Sequence, residues 1–494
     1  MAIAKVCGIE TEYGIQMVAP GEQNPISASS LLINAYLADV QRRVGWDFED
    51  ETPGRDARGF AREGSMAPMV DTHLVNAVLT NGARLYVDHA HPEYSTPECT
   101  NALDALRWDR AGEEIMVKAM AAAAAALPPG QRIVVYKNNS DRKANSYGCH
   151  ENYMMDRETP FGRVVSGVTP HFVTRQIYAG AGKVGSEVAF GGEPVAFQLS
   201  QRADFFEEEV GLETTLKRPI VNTRDEPHAD PKKYRRLHVI IGDANLSEVA
   251  TFLKVGTTAA VLCLIEDDAL PRRELQLASP VTALKLVSRD PSLTAPLQLA
   301  AGGTITAVDI QWEYLKAAQK HAAAGGLDCL GGVADMVIQR WEAVLGALEE
   351  EPAKLSGQLD WVAKKSLMEA YMERHSVGWE DPRVAALDLQ YHDLRPERSL
   401  FRRLGVETLV DQSSVQEAMT EPPRDTRAYF RGRCLQRWAS SITAANWDSM
   451  VFDLGGDPLR RVPMMEPLRG TAEVVDTLFE GCTSPAELLA RLGS

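Results

Sequence analysis

A chain of 494 residues, 45% hydrophobic and 24% charged, has ample material for a core and exceeds the size at which single cores usually stop growing, so a large domain with a smaller companion is expected. Lys plus Arg number 52 against 68 Asp plus Glu, a net charge of −16. That balance argues against general binding to a nucleic-acid phosphate backbone and requires any acidic ligand to find a local basic groove. Cys7, Cys99, Cys149, Cys263, Cys329, Cys434 and Cys482 are odd in number and widely spread, with no C-x-x-C, so neither a disulfide framework nor a zinc knuckle is expected, and a reducing compartment fits. The N-terminus shows no basic region followed by an apolar one, and no apolar run reaches the roughly 20 residues of a spanning helix. A soluble cytoplasmic protein is the expectation, with neither nucleic acid nor membrane as partner.

Lys5 to Ile15 reads as a strand with Glu10 and Glu12 on one face. Two adjacent carboxylates repel unless a cation lies between them, and hard divalent ions take oxygen ligands. A helix capped by Ser27 or Ser29 carries Leu31, Leu32, Ala35, Tyr36 and Val40 and runs out near Gly45. From Asp47 to about Val70 the chain is rich in charge and glycine without a period, which marks a long loop, either an inert surface insertion or a cover for the strand that begins at Arg84.

The stretch from Asn81 to Glu98 holds the densest chemistry in the chain. Asn81-Gly82 signals a turn, and Arg84-Leu-Tyr-Val-Asp88 alternates, so Arg84, Tyr86 and Asp88 share one face while Leu85 and Val87 point to a core. The strand should end near Asp88, a position where sites are commonly built, with His89, His91, Glu93 and Glu98 close behind. Taken alone, the same pattern also describes a half-buried strand with a solvated polar face.

Ala105 to Leu127 is a strong helix ended by Pro128-Pro129-Gly130, and Arg132 to Tyr136 is a strand leading toward His150. Phe197 to Phe206 and Arg218 to Arg224 read as short strands or loops, then comes a strand from Tyr234, in which His238 shares a face with Arg236, followed by a helix capped by Asn245 or Ser247 and running to about Ile265. Further helices are expected at about 333–350 and 358–374. Glu421-Pro-Pro-Arg-Asp is a junction, after which Arg427, Arg431 and Arg433 cluster and Trp447 falls in an expected strand. Arginine clusters suit phosphates through bidentate donors, and an indole can stack on a base. Neither a G-x-x-x-x-G-K-[ST] loop nor a G-x-G-x-x-G turn between strand and helix is present, which disfavours P-loop and Rossmann readings.

Five stretches, Gly8-Ile-Glu-Thr-Glu-Tyr-Gly14, Asn81 to Tyr94, Tyr147-Gly-Cys-His-Glu-Asn-Tyr153, Arg236 to Glu248 and Tyr429-Phe-Arg-Gly-Arg-Cys434, closely resemble the Pup ligase and Pup deamidase family, itself related to glutamine synthetase. The resemblance implies an α+β fold: a curved antiparallel sheet cradle backed by helices over 1–420, with a small C-terminal domain over 421–494. It implies ATP (or ADP plus phosphate) and Mg²⁺ as cofactors, and Pup and pupylated proteins as partners. Glu10, Tyr86, Glu93, His150 and His238 would hold Mg²⁺ with Glu12 in support; Arg84, Thr96, Asn152, Arg431, Arg433 and Trp447 would contact the nucleotide; Asp88 would be the catalytic carboxylate, as nucleophile or as general base. Asp88-His-Ala-His91 and the 47–70 insertion resemble the deamidase branch, which converts the C-terminal Gln of Pup to Glu and removes Pup from lysines. A Pup ligase, a small-molecule carboxylate-amine ligase and a nucleotide-binding scaffold without turnover are the other readings.

Overall fold

The computed structural model describes residues 1–21, 24–40, 44–49, 51–59, 75–187, 195–456 and 458–493. The expected 47–70 loop therefore falls partly outside the described residues, at 50 and from 60 onward. Among the described residues the frame is α+β: a curled ten-stranded sheet with long helices packed on one side. In spatial order its strands are Tyr234–Val239, Cys149–Asp156, Cys7–Glu12, His91–Ser95, Arg84–Asp88, Asn76–Val78, Val44–Trp46, Ile442–Ala445, Ser449–Phe452 and Arg460–Pro463. Eight of the nine pairings are antiparallel, as the expected antiparallel cradle requires, and Val44–Trp46 runs parallel to Ile442–Ala445.

The Arg84–Asp88 strand has the bounds its alternation predicts, with Leu85 and Val87 buried and Arg84, Tyr86 and Asp88 partly open. Each fully buried aliphatic side chain of this kind contributes about 1.5–3 kcal/mol. The apolar face meets helix Pro25–Asp39, while helix Ala102–Ala126 packs on the neighbouring strands. Gly112 permits that second approach: a Cβ there would stand 2.4 Å from the Tyr94 ring. Asn101 caps the Ala102–Ala126 helix by accepting the Asp104 N–H at 2.9 Å.

Several expectations are corrected. The strand over 5–15 is two, Cys7–Glu12 and Gly14–Val18, broken at buried Tyr13. Helix Pro25–Asp39 is capped by Asn24, whose side chain accepts from Ile26 and Ser27; Ser29 is buried and donates to the Ala90 carbonyl. Trp447 sits in the turn between Ile442–Ala445 and Ser449–Phe452 rather than in a strand. Helix Glu248–Glu266, capped by Ser247, is 19 residues long and apolar enough to cross a membrane, contrary to the expected lack of such a run, and it is buried among protein elements, as a helix apolar all round must be. Cys263 and Cys329 form a disulfide, whereas the other five cysteines are free and buried. Helices Phe161–Thr174 and Ala307–Ala322 are additional to those the sequence pattern singled out.

Two apolar cores result. The larger lies between the sheet and the long helices, and the smaller joins Val44, Trp46 and Val78 to Tyr429, Phe430, Phe452 and Phe479. The segment beyond residue 420 thus shares the smaller core with Val44, Trp46 and Val78, and its strands extend the same sheet.

Candidate active site

Register across the sheet assembles the site. Glu10 lies opposite His150 and Glu12 opposite Glu93; Glu93 is also opposite Tyr86, and Asn152 is opposite His238. Since alternate residues share a face, carboxylates and imidazoles from five strands stand on one concave surface. They form two groups whose ligand atoms lie within 4.8 Å of one another: Glu10, His150 and His238, and Glu12, Asp88 and Glu93.

Asn152 organises the first group. Its Nδ2 donates to Glu10 Oε1 at 2.8 Å, and its Oδ1 accepts from Arg236 Nη1 at 2.7 Å and pairs with His238 Nδ1 at 2.9 Å. This network fixes the amide orientation and the tautomer of His238, leaving Nε2 with its lone pair outward, as a metal ligand requires. Burial, with the charge of Arg236 beside it, holds His238 well below the ordinary imidazole value, so the ring is neutral. Burial alone would raise Glu10, but the hydrogen bond to His150 and the charge of Arg236 outweigh it and hold the carboxyl well below its usual range. Gly148 leaves room for the His150 ring: a Cβ there would meet Nε2 at 2.2 Å.

In the second group the Tyr86 hydroxyl donates to Glu93. Burial, followed by the charges of Asp88, Glu12 and Glu10, pushes Glu93 well above the carboxylate range; a cation among these oxygens would reverse that. Asp88 ends its strand. Burial would raise it too, but the hydrogen bond and charge of His89, then His150 and Arg84, hold it below the ordinary value, so it is ionised at neutral pH. Asp88 and Glu93 are thus pushed in opposite directions within one group of crowded carboxylates, an arrangement suited to a cation or to acid–base chemistry.

A cavity opens beside the first group, with Gly8, Thr96, Asn152, Arg236, Arg427 and Trp447 among its lining. Thr96 Oγ1 accepts the Ile9 N–H at 3.0 Å. The Arg84 guanidinium lies between the rings of Trp46 and Tyr86, at 4.0 and 3.8 Å, and donates to Asn76 Oδ1 at 3.0 Å. Trp46 in turn meets Trp447 edge to face, ring centres 5.1 Å apart.

The structure thus gathers Glu10, Glu12, Tyr86, Asp88, Glu93, His150, His238, Asn152, Thr96 and Trp447, with Arg84 at the rim. It does not gather all the arginines. Arg431 is fully buried, with its donors committed to Glu98 and to the Gly82 and Trp447 carbonyls; it shapes the wall instead of facing the cavity. Arg433 lies two residues on, on another face of helix Arg427–Trp438, where it donates to Glu421 and Gln436 and is absent from the described lining. Of the three clustered arginines, the one that lines the cavity is Arg427, one turn before Arg431 on the same face. Glu98, which the sequence places in the chemically dense stretch without a role, binds both Arg427 and Arg431, whereas His228, with backbone φ at 48° and lining the cavity, was missed. Burial pushes His228 down to about 3, so it too is neutral.

Residues 5–451 match the Pup-ligase protein family. The chain is 55% identical to a depupylase of Acidothermus cellulolyticus and 49% identical to a Pup deamidase/depupylase of Mycolicibacterium smegmatis, each over 99% of both chains. It is 38% identical to a Pup–protein ligase of Sanguibacter keddieii, over 97% of this chain and 100% of that one. Among solved structures it superposes on the ligase PafA in its complex with Prokaryotic Ubiquitin-like Protein Pup (TM-score 0.79, 30% identity, 99% of this chain and 94% of that one). It also superposes on PafA in complex with ADP (TM-score 0.73, 33% identity, 82% and 89%). By sequence and by fold, this chain belongs to the Pup ligase family.

Proposed function

We propose that this chain is a Pup deamidase and depupylase: with ATP (or ADP plus phosphate) and Mg²⁺ bound, it hydrolyses the side-chain amide of Pup's C-terminal Gln and the isopeptide bond between Pup and lysine. The observation that carries the reading is the difference in likeness, 55% and 49% identity to relatives named for removing or deamidating Pup against 38% to a ligase, all over nearly full length.

The geometry supplies the parts. Glu10, His150 and His238 would hold one cation, and Glu12 and Glu93 offer the carboxylate oxygens a hard ion such as Mg²⁺ takes. Tyr86 would orient Glu93. Arg84, Thr96, Arg427 and Trp447 would border the nucleotide, the last two coming from the unit beyond residue 420, which we read as a small C-terminal domain. When bound, Mg²⁺ would offset the negative charge of the nucleotide phosphates and supply the Lewis acidity that polarises an amide carbonyl. Asp88, ionised at the strand's end, either attacks that carbonyl to give a mixed anhydride opened by water, with ammonia or the lysine amine leaving, or takes the proton of an attacking water. The amide cleavage requires no net nucleotide hydrolysis. We read the location as cytoplasmic from the kind of substrate proposed, with five of the seven cysteines free and buried and Cys263 bonded to Cys329.

The test is to incubate the purified protein with ATP, Mg²⁺ and Pup ending in Gln and to weigh Pup by mass spectrometry. Conversion of amide to acid supports the reading; unchanged Pup-Gln together with conjugation of Pup-Glu to lysines would make the chain a ligase.

A further inference from the structure

Five of the seven cysteines are free, and the remaining pair, Cys263 and Cys329, is bonded across 66 residues of sequence. In a reducing compartment a lasting structural disulfide is rare, and the bonds that do occur there mostly form and break in catalysis or redox sensing. The two sulfurs differ in access. Cys263 is fully buried near the end of helix Glu248–Glu266, whereas Cys329 is part-exposed in the short turn Asp328–Leu330. Glycines flank that turn, Gly325-Gly326 before it and Gly331-Gly332 after, and Gly325, Gly331 and Gly332 take φ of 77°, 64° and 85°. Backbone of this kind rearranges freely once the bond is cut.

The bonded pair also anchors the start of the chain. The Lys5 N–H donates to the Cys329 carbonyl at 2.9 Å. Glu266, three residues after Cys263, accepts the Ile3 N–H at 3.0 Å and Lys5 Nζ at 2.5 Å. Two residues beyond Lys5 begins the strand Cys7–Glu12, which carries Glu10 and Glu12. The disulfide thus clamps together the turn and the helix end that both hold the entry to that strand.

We propose that Cys263 and Cys329 form a thiol–disulfide exchange site for a low-molecular-weight thiol, and that its state sets how firmly residues 1–6 are held. The inference rests on the cytoplasmic reading. A small thiolate attacks Sγ of part-exposed Cys329; the S–S bond breaks, and Cys263 leaves and takes a proton, since apolar surroundings do not keep a thiolate. A second small thiolate attacks the small-thiol sulfur of the mixed disulfide and releases the Cys329 thiolate. Two small thiols are oxidised to one small disulfide as the protein pair is reduced. The reverse sequence, with the small disulfide as oxidant, restores the bond.

The experiment equilibrates the full chain with reduced and oxidised glutathione at graded ratios, traps free thiols with N-ethylmaleimide in denaturant and weighs the intact protein. The label count should pass reversibly from five at the oxidising end to seven at the reducing end, with peptides mapping the two extra labels to Cys263 and Cys329. Seven labels at every ratio, or five that reduced glutathione never increases, would overturn the exchange. Hydrogen exchange of the two end states reads the anchor: peptides covering 1–6 and 326–331 should exchange at least about threefold faster in the reduced form. Cys329→Ser should match the reduced form at every ratio. Equal exchange in the two forms would overturn the anchoring, and if Cys329→Ser does not fold, the wild-type comparison decides alone. Pup-Gln cleavage is measured separately, so its absence would remove the proposed function and leave the thiol count to decide this site.

Discussion

Asp88 Oδ2 lies 2.8 Å from Nδ1 of His89, the next residue along, which takes a backbone φ of 51° in the hairpin joining Arg84–Asp88 to His91–Ser95. A non-glycine residue in the left-handed region is uncommon and costs of order 1 kcal/mol, and here it folds the imidazole back onto the carboxylate proposed to do the chemistry.

The hydrogen bond to Asp88, then its charge, raises His89 to about 9, and His89 in turn lowers Asp88. The pairing is therefore fully in place below the ordinary His value of 6.5 and is lost as pH rises through about 9. For Asp88 the sign is opposite: its depressed value keeps it ionised as pH falls below the usual carboxylate range. His89→Asn, which tolerates the left-handed backbone, should move the acidic limb of the kcat/KM profile to higher pH and remove any alkaline transition near 9. An unchanged profile would show that the pair has no part in turnover.

Glu98 and the arginines give a stability prediction. Burial would raise Glu98, but the charges of Arg431 and Arg427 outweigh it and hold the carboxyl at about 2. Its contribution is complete above about 4.5 and disappears as pH falls through about 2, so part of the acid unfolding should fall in that window. Arg431→Ala leaves Glu98 buried with one partner fewer and should cost about 3–5 kcal/mol in denaturant unfolding. Arg433→Ala, at a partly exposed ion pair, should change stability by less than about 1 kcal/mol and leave ADP affinity unaltered. A loss of ADP affinity in Arg433→Ala would restore it to the nucleotide site.

The cation ligands can be tested without altering them. Gly148→Ala places a methyl where the His150 ring lies, and should lower Mg²⁺-dependent ADP affinity by about 10- to 100-fold, as should Asn152→Ala. Both effects should vanish when ADP is titrated with EDTA present. Equal losses with and without the metal would mean that these residues serve the nucleotide or the fold directly.

How much of this was legible depended on the range over which each signal acts. The Arg84–Asp88 strand, the Ala102–Ala126 helix and the shared face of Glu10 and Glu12 follow from local periodicity, and the structure keeps them. The helix cap at Asn24 was missed because Ser27 and Ser29 offer the same chemistry one turn on, and only the Pro25 next to Asn24 marks the true start. The pairing of His91–Ser95 between two other strands, the Cys263–Cys329 bond and the commitment of Arg431 to Glu98 are contacts between distant residues, which no local pattern encodes. The site residues were found chiefly through family resemblance; Arg427 was visible as one of three clustered arginines, but that it, and neither Arg431 nor Arg433, lines the cavity emerges only from the partners each one takes.

The most direct measurement of the central claim is single-turnover cleavage of Pup-Gln and of a Pup–lysine conjugate by Asp88→Asn, with ADP affinity determined on the same preparation. If Asp88 is the reacting carboxylate, this near-isosteric change keeps nucleotide binding and lowers the cleavage rate by at least about 10²-fold on both substrates. Cleavage near the wild-type rate with nucleotide bound would place the reacting carboxylate elsewhere and contradict the assignment.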